Sequence, residues 1–200
     1  LVRSRGLGDV YKRQVLGESH IFYCKKEQGC RIRSVRLLPE HSKALGAAVE
    51  AIHSADMIVL APGSLYTSII PNLLVDGIAD AIRDSKALKL YVCNVMTQEG
   101  ETEGYTVSDH IQALFSHSYP GLFRLCLTNS TPIPEVIALR YAQEGAEPIR
   151  HDVEKCRALG VELIDRPVAA LENGLVRHNP GHLAHELMTI YEEYKPKDPA

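Results

Sequence analysis

Short apolar runs alternate with helix-length amphipathic stretches along most of this 200-residue chain. A strand covered on both faces reads as a continuous apolar run, and an amphipathic helix carries the chain back to begin the next parallel strand. The alternation predicts an α/β fold, a mainly parallel sheet with helices on both faces. Strands are expected at Ile32–Leu37, Met57–Ala61, Leu88–Cys93 and Leu122–Thr128, with shorter ones at Glu147–Arg150 and Val161–Ile164. Helices are expected at Ser42–Ser54, Ser68–Ser85, Thr106–His117, Pro134–Glu144, Asp152–Leu159 and His182–Tyr194, with a polar tail from Lys195 to Ala200. Three local signals sharpen these boundaries. Thr106 and Asp109 form a capping-box pair, Pro134 suits a first helical turn, and Gly145 suits a helix end. The first long helix carries Ala44, Leu45, Ala48, Val49 and Ile52 on one stripe, expected to face the core.

Charge and composition exclude several classes. The chain is 45% hydrophobic and 24% charged, with net charge −3. Its mean hydropathy is −0.11. No apolar run approaches the roughly 20 residues of a membrane helix, and no basic field recommends nucleic acid. Ser4–Gln14 reads SRGLGDVYKRQ, which back-translates to a sequencing-library adapter. Residues 1–14 are therefore set aside as non-native, and residues 15–194 are treated as one domain. The set-aside stretch holds Arg3, Arg5, Lys12 and Arg13 against Asp9, so the remainder stands at −6. Five scattered cysteines (Cys24, Cys30, Cys93, Cys126, Cys156) with no CxxC favour a reducing, cytoplasmic setting.

In open α/β sheets, ligands bind beyond the carboxyl ends of the strands. The strand ending at Ala61 leads into PGSLYTSIIP. There Gly63 permits close backbone approach, and Ser64, Tyr66, Thr67 and Ser68 offer hydroxyls at a helix start. That is a workable phosphate cradle; the same residues also suit a plain strand–turn–helix connection. Asn94 and Asn129 end two later strands, where an amide can recognise a sugar hydroxyl or base edge, or serve a turn. Arg140, on the helix after Asn129, offers a fork for a diphosphate or a salt-bridged surface. Glu101 and Glu103, in the long polar loop Thr97–Thr102 and just beyond it, could bind a metal or repel an acidic competitor, but are expected to be solvated. His182, His185 and Glu186 lack a third metal ligand, and Asp109 beside His110 is explained by capping, so no metal site is expected.

Two stretches, APGSLYTSIIPNLLVDGI (Ala61–Ile78) and YVCNVMTQEGETEGYTVSDHIQAL (Tyr91–Leu114), closely resemble the gluconeogenesis-factor (YvcK-type) branch of the CofD-like family. Gly17–Ser19, Ala55–Asp56 and Arg140–Asp152 fit the same pattern. The resemblance implies a Rossmann-like three-layer fold in the bacterial cytoplasm. It also implies a Gly-rich N-terminal nucleotide loop that this sequence lacks, leaving half a site and an exposed sheet edge. It places functional positions at Gly63–Ser68, Asn72, Asn94 and Asn129. It implies a UDP-sugar-binding regulator of cell shape and gluconeogenic growth, with a cell-wall regulatory protein and a second copy of the chain as candidate partners. The alternative is a transferase joining 2-phospho-L-lactate from a guanosine diphosphate donor to a deazaflavin, with Mg²⁺ and with Glu101 or Asp76 as its acidic groups. The loops carry neutral donors rather than an evident acid, base or nucleophile, which favours binding over turnover. That reading requires Gly63, Asn94 and Asn129 to meet at one rim with a cavity between them.

Overall fold

In the computed structural model the described residues are 16, 17, 20 and 31–195. The adapter-like stretch, Ser19, Cys24 and Cys30 lie outside them. Four parallel strands form one sheet in chain order: β1 (Met57–Leu60), β2 (Leu88–Val92), β3 (Leu125–Asn129) and β4 (Glu162–Arg166). Helix α1 (Gly46–Ser54) precedes β1. A π-helical turn, Leu65–Ile69, leads directly into α2 (Ile70–Leu73), and α3 (Ile78–Asp84) follows. Helix α4 (Val107–Ser116) joins β2 to β3; α5 (Glu135–Gln143) and α6 (Val153–Ala158) join β3 to β4. A hairpin of β5 (Ala169–Glu172) and β6 (Leu175–His178) then leads to α7 (Pro180–Tyr194).

Side-chain alternation sorts the strands' apolar residues onto two faces. Ile58, Leu60, Tyr91, Cys93, Cys126 and Leu163 join the helices of one layer, including Ile70 of α2, Ile111 of α4 and Cys156 of α6. Met57, Val59, Leu90, Val92, Leu127 and Ile164 face the other way, onto Leu183, Leu187 and Ile190 of α7. Helices thus cover both faces, the three-layer arrangement expected. Among the described residues no helix is long and apolar enough to cross a membrane.

The capping box at Thr106 forms as read: its hydroxyl accepts the Asp109 N–H, and the Asp109 carboxylate accepts the Thr106 N–H. Gly145 takes φ +74° just after α5. Other expectations need correction. Residues 32–37 are not a strand. The helix expected over Ser68–Ser85 is three pieces, because Gly77 at φ +95° forces a new start before Ile78. The stripe faces the core but is only half-covered: Ala44, Ala48, Val49 and Ile52 are partly buried, with Ile52 packed against the core, while Leu45, just before α1, is 78% exposed. Residues 147–150 do not join the sheet. They pair with the loop after β2: the Ile149 N–H donates to the Val95 carbonyl at 3.0 Å and the Thr97 N–H to the Glu147 carbonyl at 2.7 Å.

Candidate functional site at the carboxyl rim

Parallel register brings the ends of β2 and β3 side by side, so Asn94 and Asn129 open onto the same edge of the sheet. Between them lies a cavity of about 340 Å³ lined by both asparagines, Thr131 and His151, with Val95, Ile133, Pro148 and Ile149 as the apolar wall. Its size is at the small end of the range for ligand pockets. Both amides also hold the backbone. Asn94 accepts the Gly63 N–H (3.1 Å) and donates to the Gly63 carbonyl (2.8 Å), tying the first loop to the second strand. Asn129 accepts the N–H groups of Thr131 (3.1 Å) and Ala169 (3.0 Å) and donates to the Thr131 carbonyl (2.9 Å). At this rim Gly63 is thus joined to Asn94, and Asn94 shares the cavity with Asn129, while Gly63 itself does not line it. Each asparagine spends part of its hydrogen-bonding capacity on shaping that rim.

The loop from Gly63 to Ser68 is more tightly knitted than an open anion cradle. The Ser64 hydroxyl donates to Gln98 (2.8 Å), the Tyr66 N–H to Glu101 (3.1 Å) and the Thr67 hydroxyl to Glu101 (2.7 Å). Glu101 is only 2% exposed. The expectation that it is solvated is overturned: its carboxylate fills the place at the turn where an external anion would sit. A buried carboxylate needs such donors, and these supply them. Glu103 is half-buried rather than free in solvent and accepts the Gly100 N–H at 2.6 Å. The Tyr66 hydroxyl meets that of Tyr105 at 2.9 Å. Burial, then this hydrogen bond, pushes the Tyr66 phenol far above its ordinary range, so it stays neutral.

The remaining sequence-level candidates lie apart from the cavity lining. Asn72 is exposed on α2 and donates to the Ser68 carbonyl at 2.7 Å. Arg140 is exposed on α5; its guanidinium lies against Gly174 in the β5–β6 turn and is not part of the cavity lining. Asp76 sits near His41, 3.4 Å away. Glu186 pairs with Arg166 at 3.1 Å.

Three residues that the sequence reading passed over define one side of the rim. His151 lines the cavity, and its Nδ1 lies 3.0 Å from Asp165 Oδ1. Asp165 also accepts the hydroxyl of Thr128, which is 2% exposed. Register explains the meeting, because Thr128 of β3 stands directly opposite Asp165 of β4. Polar residues near the end of apolar strands, LCLTN and ELIDR, are the signal that would have marked Thr128 and Asp165.

The model of the family described as 2-phospho-L-lactate transferase CofD matches residues 8–169. A gluconeogenesis factor of Halalkalibacterium halodurans is 44% identical over 174 residues, 87% of this chain and 53% of that protein. That of Bacillus subtilis is 41% identical over 181 residues, 90% of this chain and 56% of that protein. A crystal structure from Bacillus halodurans, of a member of the UPF0052 family, is similar with TM-score 0.81 at 44% identity, over 86% of this chain and 54% of that one. The chain spans about half the length of the curated relatives it matches. With most of its length matched and that fold shared, the chain belongs to the CofD family, in the YvcK-type branch whose relatives are named gluconeogenesis factors.

Proposed function

We propose that this chain contributes to a cytoplasmic UDP-sugar-binding regulator, its ligand of the UDP-N-acetylglucosamine type, which links precursor status to cell shape and growth on gluconeogenic carbon sources. The observation that carries this reading is the Asn94–Asn129 cavity: neutral hydrogen-bonding groups and an apolar wall at the carboxyl rim of a parallel sheet. Such a lining orients a ring-bearing ligand by neutral hydrogen bonds and apolar contact, with His151 its one ionisable group among the described residues. The names of the relatives fit a regulatory role in carbon metabolism. Calorimetry with UDP-N-acetylglucosamine tests it. Saturable heat is expected, with Asn94→Ala and Asn129→Ala each weakening binding about tenfold, the equivalent of roughly 1.4 kcal/mol. Absence of heat at millimolar ligand overturns it.

A second reading, a 2-phospho-L-lactate-type transferase acting with Mg²⁺, is favoured by the family model's description. It calls for carboxylates converging on the Gly63 loop to hold the metal. Glu101 reaches that loop but is engaged by the loop's own donors, and Asp76 lies by His41. Mg²⁺-dependent turnover of a guanosine-diphosphate-linked phospholactate donor would establish this second reading in place of the first.

A further inference from the structure

Among the described residues, the lining of the Asn94–Asn129 cavity has one ionisable side chain, His151, and neither Arg nor Lys. A diphosphate carries at least two negative charges, and its desolvation calls for cations, a metal or an open array of N–H groups. The Gly63–Ser68 turn, tied to Asn94 through Gly63, already gives its Tyr66 N–H and Thr67 hydroxyl to Glu101. Among the described residues, the lining suits an uncharged group better than a diphosphate.

His151 stands against a carboxylate. Asp165 Oδ1 accepts from the Thr128 hydroxyl and lies 3.0 Å from His151 Nδ1. A carboxylate only accepts, so its closeness favours the tautomer with the proton on Nδ1, which leaves Nε2 as an acceptor. The His151 side chain is 27% exposed, so it can be reached by a ligand at the rim. We propose that His151, oriented by Asp165 and Thr128, is the ligand-contacting residue of a subsite for the neutral ring of the ligand. In that subsite a ring hydroxyl or imide N–H donates to Nε2. The flat faces of the ring lie on Ile133, Pro148 and Ile149, and Asn94 and Asn129 use their remaining hydrogen-bonding capacity on its edge. The proposal rests on the nucleotide-sugar reading for its choice of ligand and assigns the diphosphate to a place outside this cavity.

The test is imidazole NMR on the folded chain with uridine, N-acetylglucosamine and inorganic pyrophosphate, each offered alone. One of the two neutral probes is expected to shift the His151 ring signals saturably, and pyrophosphate is expected to leave them in place. Which neutral probe responds tells nucleobase from sugar. His151→Ala should weaken the responding probe about fivefold, the loss of about one hydrogen bond. His151→Gln, which keeps a side-chain acceptor, should recover part of that. Asp165→Asn is the positioning variant: it should redistribute the ring proton between Nδ1 and Nε2, seen in their nitrogen shifts, a change that mere loss of packing would not produce. The proposal is overturned if pyrophosphate alone moves His151, if no probe moves it, or if His151→Ala binds the neutral probe as wild type does. If His151→Ala does not fold, the probe shifts and the Gln variant decide. A neutral probe that moves His151 while UDP-N-acetylglucosamine gives no calorimetric heat leaves this subsite standing and removes the regulator reading. Heat without a His151 response does the reverse.

Discussion

His110 shows how a side chain named for one reason acts for another. It follows the capping Asp109 in sequence, yet its ring points inward and is fully buried. Its Nδ1 lies 2.8 Å from the Thr106 carbonyl, its Nε2 has no partner, and Tyr105 stands edge-on at 5.5 Å. Burial lowers its pKa, outweighing the Thr106 hydrogen bond and the Asp109 charge that raise it. His178, half-buried at the end of β6, is shifted the same way by burial. In the unfolded chain both histidines take up protons near pH 6.5; in the folded chain they resist until lower pH. The unfolded state therefore binds more protons below that value, and stability falls as pH drops through the window under 6.5. Urea unfolding at pH 7.5, 6.0 and 5.0 should show this decline. His110→Leu should flatten its slope; an unchanged slope would assign the pH dependence to other groups. Asn94 and Asn129 teach a related lesson. Their residue type and strand-end position were readable, but not that each also fastens a neighbouring backbone segment.

At the scale of elements, the Asp152 carboxylate is the clip between two helix starts. It accepts the Ser108 N–H (2.9 Å), the Ser108 hydroxyl (2.5 Å) and the Thr106 hydroxyl (2.8 Å), holding the first turn of α4 to the start of α6. Partial burial acts to raise its pKa, but these hydrogen bonds prevail and hold it below the usual carboxylate range. Asp152→Ala leaves those donors without their acceptor and should cost about 2 kcal/mol. In a chain of this size that is a fall in melting temperature of roughly 4–8 °C; a change under 1 °C would show the clip to be dispensable. The β5–β6 hairpin turns at Asn173 and Gly174, with φ of +50° and +74°. Asn-Gly between two short runs is the strongest short hairpin signal, so this element was legible and went unread. Gly174→Ala should destabilise by about 1 kcal/mol through its left-handed backbone. It should also displace Arg140, whose Nη1 would lie 2.8 Å from the new Cβ. Chemical denaturation reads the first effect and a crystal structure of the variant the second.

The whole molecule is organised by two apolar layers, one on each face of the sheet, and the closure of the first can be followed through its thiols. Cys93, Cys126 and Cys156 are free and buried. Burial, with the nearby Asp152 charge adding to it, pushes the Cys156 thiol up to about 12, and burial raises Cys126 as well. Reactivity follows the exposed thiolate, so all three should resist alkylation in native buffer and react together at the rate of global opening. Peptide mapping after timed iodoacetamide labelling reads this. Rapid labelling of Cys126 while the fold persists would contradict the sealed interior.

Periodicity and local chemistry determined the α/β class, most helices, the parallel strands from β1 to β4 and the capping box. These depend on side chains within a few positions of one another. The sequence also placed Gly63, Asn94 and Asn129 at strand ends, because apolar runs stop where the sheet stops. Only the tertiary structure decided the rest. Glu101 reaches back 34 residues to Thr67, residues 147–150 pair with the loop after β2 rather than with the sheet, and Thr128, Asp165 and His151 meet across two strands and a loop. Those meetings are set by strand register and loop closure, which bring together positions that no repeat along the chain connects.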